Sequence, residues 1–96
     1  MLTSDQFIAL VDELQLQFDA IVETGTDDEL FLSGYLNGHF SLVASQCINQ
    51  QLFSAQSLDE KMKASLGEAF SKGELEPADQ DAVHALWDKT LLSFHA

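Results

Sequence analysis

The sequence predicts an all-α fold, a four-helix bundle in antiparallel up-down-up-down order. Three observations lead there. Apolar residues recur every three or four positions in four successive stretches. Ser or Thr precedes several of these stretches in capping-box patterns. The breaks between stretches are short and marked by Gly or Pro. The 96 residues fit a single helical domain spanning the chain. A hydrophobic content of 46% is enough for a modest core without disulfide or metal.

The first helix is expected over residues 4–24. Phe7, Val11, Leu14, Phe18 and Ile21 form its apolar stripe, and Leu10 and Val22 widen it. Thr3 and Gln6 suit a capping box, and Gly25 suits a left-handed stop. Leu16 lies off the stripe and is expected at the surface. The second helix is expected over 27–49. Thr26 is its cap, Glu29 reaches back, and Asp27, Asp28 and Glu29 sit at the positive end of the helix dipole. A link this short forces the first two helices into an antiparallel hairpin.

The second helix is the unusual element. No Asp, Glu, Lys or Arg occurs from Leu30 to Leu58. One face carries Leu32, Leu36, Phe40, Val43 and Cys47; the opposite face carries the small residues Gly34, Gly38, Ser41 and Ser45. A helix without a charged face is usually covered on most sides, and small residues let another backbone come close. Each interior glycine costs about 1 kcal/mol relative to alanine, which calls for a packing or functional reason.

Leu52 and Phe53 are expected to tuck under the connector that follows. The third helix is expected over 58–72, capped by Ser57, with Leu58, Met62, Leu66, Ala69 and Phe70 inward and Gly73 at its end. The fourth is expected over 77–94. Pro77 opens it, and Val83, Leu86, Trp87, Thr90, Leu91 and Phe94 form its stripe.

The formal net charge is −12. Residues 1–60 hold ten acids and no Lys or Arg; residues 61–96 hold six acids and four lysines. Phosphate backbones are bound by Lys and Arg, so neither nucleic acid nor an anionic membrane is an expected partner. No apolar run approaches the 20 or so residues of a transmembrane helix. The start, Met1-Leu2-Thr3-Ser4-Asp5, lacks the basic stretch and apolar run of a signal peptide, and Cys47 is the single cysteine. Both lead to an expectation of a cytoplasmic location.

Candidate chemistry is sparse. Asp27-Asp28-Glu29 point about 100° apart on a helix, which is poor metal geometry, so they read as a capped helix start. His39 lies at the edge of the apolar face and reads as a buried or half-buried group hydrogen-bonded to a neighbour. Asp81 and His84 are one metal-capable pair without the second Glu-x-x-His of a di-iron bundle. Cys47 belongs to the core stripe, and His95 lies next to the end. No cofactor or metal is expected, and no phosphate loop, nucleophile elbow or CxxC pair suggests an enzyme.

Two stretches resemble the YfcL family, small bacterial proteins of unknown function. The first is Asp27-Asp28-Glu29-Leu30-Phe31-Leu32-Ser33-Gly34-Tyr35-Leu36-Asn37-Gly38-His39. The second is Gly73-Glu74-Leu75-Glu76-Pro77-Ala78-Asp79-Gln80, followed by Val83 and Trp87. The family often carries a basic residue where Asn37 stands. The resemblance implies a shared fold and no particular activity, and it singles out Gly34, Tyr35, Gly38 and His39 as candidate binding positions. Tyr35 and His39, one helical turn apart, are placed to share a polar contact.

The leading expectation is a non-enzymatic protein-interaction module. The second helix would be partly covered by another protein, a homodimer being one form. The alternative is a small-molecule or metal-binding protein using Tyr35 and His39, with Asp27–Glu29 or Asp81 and His84 converging on them. A third is an acidic nucleic-acid mimic, with Asp12, Glu13, Asp19 and Glu23 along one side of the first helix.

Overall fold

The computed structural model describes residues 2–95, with side chains described through residue 92. The chain forms four helices, α1 (Ser4–Thr24), α2 (Asp27–Asn49), α3 (Ala55–Ser71) and α4 (Pro77–His95), packed as an all-α bundle. The stripe position Phe94 and His95 lie outside the described side chains.

The ends of α1 and α2 follow from local hydrogen bonding. Thr3 and Gln6 exchange capping bonds at 3.0 and 3.1 Å, and Thr26 and Glu29 do so at 3.2 Å each. Each box satisfies two backbone donors that the first turn leaves without an intrahelical partner. Gly25 stops α1 in an extended conformation (φ −80°, ψ 162°) rather than the expected left-handed one. What it supplies is room, because a Cβ there would stand 2.6 Å from the Ile21 carbonyl oxygen.

Helix α2 ends in a Schellman motif. The Leu52 N–H donates to Cys47 O at 2.9 Å and the Gln51 N–H to Ile48 O at 3.2 Å. Gln51 takes the left-handed conformation, φ 58°, that glycine usually fills. The turn delivers Leu52 and Phe53 inward, and Phe53 meets Phe7 at 5.7 Å. The Leu2 N–H also donates to Phe53 O at 2.7 Å, which ties this connector to the start of α1.

Helix α3 begins three residues earlier than expected. Ser54, not Ser57, is its cap and accepts from the Ser57 N–H at 3.0 Å. The two serines compete for one role, and the Schellman turn brings the chain round early enough for the first to take it. Gly73, at φ 75°, follows α3 in the left-handed conformation expected of it.

Helix α2 is the centre of the bundle. It lies against all three other helices, while α4 touches α1 and α3 only sparsely. Phe40 of α2 packs edge-on to Phe18 of α1 at 5.3 Å and tilted to Trp87 of α4 at 6.1 Å. Phe7, Leu14, Leu36, Leu58, Met62, Leu66 and Val83 complete a core with essentially no exposure. Burial stabilises each such side chain by about 1.5–3 kcal/mol. Val22, expected to widen the core stripe, is 61% exposed. It lies at the edge of α1 that no neighbouring helix covers. Leu16 is exposed as expected.

Trp87 brings a polar N–H into this core, and Asp59 of α3 accepts it at 2.8 Å. Lys63 then bridges Asp59 and Asp88 at 3.2 and 3.7 Å. The lysine pairs are half-exposed and contribute little. The indole bond matters more, because its donor is buried and it links two helices that meet only sparsely. Asp59→Ala is expected to lower stability by about 1–3 kcal/mol, the cost of a buried donor left unpaired, with Asp59→Asn recovering part of the loss. Urea unfolding followed by the fluorescence of this single tryptophan measures both.

Candidate functional site

The four family-signature positions fall on two adjoining sides of α2. Tyr35 and His39 face α3. Gly34 and Gly38 face outward.

His39 is half-buried, and its Nδ1 lies 2.8 Å from Ser65 Oγ. The sequence expectation of a buried or half-buried, hydrogen-bonded histidine agrees with this geometry, in its half-buried form. The Tyr35 hydroxyl donates to Glu74 Oε1 at 3.2 Å. The expected polar contact between Tyr35 and His39 does not form. The two side chains meet ring to ring, centroids 5.0 Å apart, and their polar tips go to different partners. Tyr35 also stacks on Phe70 at 6.3 Å and 17°, and Phe70 meets the edge of His84 at 5.3 Å. A row of rings therefore runs from α2 through α3 to α4. Tyr35 and Glu74 belong to the two separate sequence blocks of the resemblance, and their hydrogen bond joins those blocks in space.

Burial pushes the Tyr35 phenol above its ordinary value, and the Glu74 carboxylate raises it further. The folded state thus holds the phenol proton more tightly than the unfolded chain. The stability linked to it is complete below the unfolded value near 10 and is lost as pH rises through the folded value. Tyr35 is the single tyrosine, so phenolate absorbance reads it alone. The titration midpoint is expected above that of a free tyrosine, and Glu74→Gln should move it down.

Gly34 and Gly38 are exposed, and nothing lies within 4 Å of where a Cβ would sit on either. Among the described residues, no other helix uses the close approach they permit. Phe31 and Leu42 border them, 53% and 57% exposed, and Ser41 and Ser45 continue the open stripe. Asn37 follows Ser33 by one turn, and the Ser33 hydroxyl donates to the Phe18 carbonyl of α1 at 3.5 Å. Asn37 Oδ1 is buried without a hydrogen-bond partner among the described residues. With open space at both glycines, Gly34→Ala and Gly38→Ala should each stabilise the isolated chain by about 0.5–1 kcal/mol in urea unfolding. A loss of stability would mean that the chain itself needs the gap.

The remaining candidates do not converge on this place. Glu29 is held in the α2 capping box, with Asp27 and Asp28 beside it at the helix start. Asp81 is exposed, and His84 meets the ring row through Phe70. Cys47 is fully buried, and burial raises its thiol pKa. Among the described residues no three His, Cys, Asp or Glu side chains are grouped to hold a metal ion. No helix among them is long and apolar enough to cross a membrane. Ser65 and Phe70, which complete the Tyr35–His39 site, carried no functional signal in the sequence. They were visible only as a polar and an apolar position of α3.

The family model described as YfcL protein matches residues 8–92. The chain is 40% identical over 70 residues to "Uncharacterized protein YfcL" of Escherichia coli (strain K12), an alignment covering 73% of this chain and 76% of that protein. No solved structure matches. The matched span takes in the capped start of α2, its open glycine stripe, the Tyr35–Glu74 link and Trp87, and on this evidence the chain belongs to the YfcL family.

Proposed function

We propose that the protein is a non-enzymatic interaction module that docks another protein on the outer face of α2. The open stripe carries this reading. Two glycines stand in the interior of a helix at a cost of about 1 kcal/mol each, and none of the described residues fills the space above them. Phe31 and Leu42, both more than half exposed, frame that space. A small-residue track between two apolar knobs suits a backbone laid close against it, the arrangement used when a helix seats in a groove. The polar tips of Tyr35 and His39 are engaged by Glu74 and Ser65, which suits a rigid shoulder to the docking face better than a ligand-gripping pair. The buried lone thiol suits a reducing cytoplasm.

Site-specific photocrosslinking in the native host tests the reading. A photoreactive side chain at position 38 should give a discrete protein adduct, and the same group at exposed Gly67 of α3 should not. Uncrosslinked monomer at both positions would defeat the proposal.

A further inference from the structure

The open stripe of α2 continues onto α1. Gln17, Ala20 and Ile21 of α1 border a cleft with Leu86, Lys89 and Thr90 of α4. Ile8 and Val22 stand on the opposite edge of α1, which therefore looks away from α4. They are 40% and 61% exposed. On α2, Phe40 turns toward Trp87 of α4, so Gly34 and Gly38 on the far side look away from it too. Ile8 and Val22 thus share one side of the molecule with Phe31, Gly34, Gly38 and Leu42. Phe31 and Leu42 are eleven positions apart, about 16 Å along the helix, or three turns of any helix laid beside it.

Charge encloses this low-charge platform. Asp19 lies on the α1 side, its carboxylate accepting from Gln15 at 3.1 Å. Asp27 and Asp28 stand at the start of α2. Glu68 borders Leu42 and Gln46 from α3, and Glu74 holds Tyr35. Lys61 is the cation that borders the same α2–α3 depression. A second copy of the chain would bring two such acidic rims together, each on a molecule of net charge −12. Lys72 pairs with Glu68 at 3.5 Å, so the open carboxylates are those on the α1 side and at the start of α2, and a partner with basic flanks meets a net attractive field there.

We infer, resting on the docking reading above, that this face receives a single amphipathic helix of another protein. Small or aliphatic residues lie on its contact side and Lys or Arg runs along its flanks. The glycines admit the helix backbone, Phe31 and Leu42 grip its two ends, and the carboxylates set its orientation.

The test uses a fluorescein-labelled synthetic helix of about 18 residues. Leu and Ala repeat at three- and four-residue spacing, and Lys fills the other positions. A twin peptide carries Glu in place of Lys. Anisotropy is read against the full chain, Gly38→Leu and Gly67→Leu, with sedimentation velocity of each protein alone. The Lys peptide should bind the full chain and Gly67→Leu equally. It should bind Gly38→Leu about tenfold more weakly or worse. Its affinity should fall severalfold between roughly 0.05 and 0.5 M salt. The Glu peptide should not bind. Equal binding to Gly38→Leu, or binding of the Glu peptide, overturns the inference. A dimer that Gly38→Leu converts to monomer also overturns it, in favour of a second copy, while leaving the docking reading intact.

Discussion

The Phe40 ring meets Phe18 on one side and Trp87 on the other, and so joins three helices at one point on α2. Most of the architecture follows from that placement. A helix that serves α1, α3 and α4 from one broad apolar face has its opposite face left over. In a square bundle each helix shares its burial with two neighbours. Here α2 lies between α1 and α3 with α4 across it, and α4 needs less from α1 and α3. The indole–carboxylate bond from Trp87 to Asp59 strengthens the sparser α3–α4 side.

Much of this fold was legible in the sequence, and the reason is local. Capping boxes at Thr3 and Thr26, Pro77 at a helix start and Gly73 at a stop are short-range devices whose physics needs no tertiary context. The errors lie where tertiary geometry arbitrates. Periodicity placed Val22 at the margin of the α1 stripe, and only the position of α4 decides which margin is covered. Two serines near the start of α3 both suit a cap, and the route of the preceding turn chooses Ser54. That turn depends on a glutamine in a left-handed conformation, a role that composition does not advertise. Gly25 was assigned to the right place for the wrong reason: it provides clearance to a carbonyl, not a positive φ.

The site was half legible. The absence of charge from Leu30 to Leu58 marked α2 as unusual, and the small-residue stripe could be drawn on its wheel. Which helix met that stripe could not be read, because the wheel carries no information about neighbours. Among the described residues, no other helix meets that stripe. The partners of Tyr35 and His39 were equally hidden. Glu74 lies 39 positions from Tyr35, and Ser65 lies 26 from His39. Such pairs arise only once α3 is laid beside α2.

The central position of α2 also bears on how the chain reaches its fold. Its contacts with α1 and α3 close across a two-residue link and a short connector, so both helical hairpins form from sequence neighbours. Loop closure over such distances is cheap, and helical proteins rich in local contacts fold fast. The docking of α4 on α2, with its few contacts to α1, must reach past intervening helices. The arrangement therefore favours early assembly of α1, α2 and α3, with Trp87 entering last. Until it does, Phe40 lacks one of its two aromatic neighbours, and the core is open on the side opposite the glycine stripe.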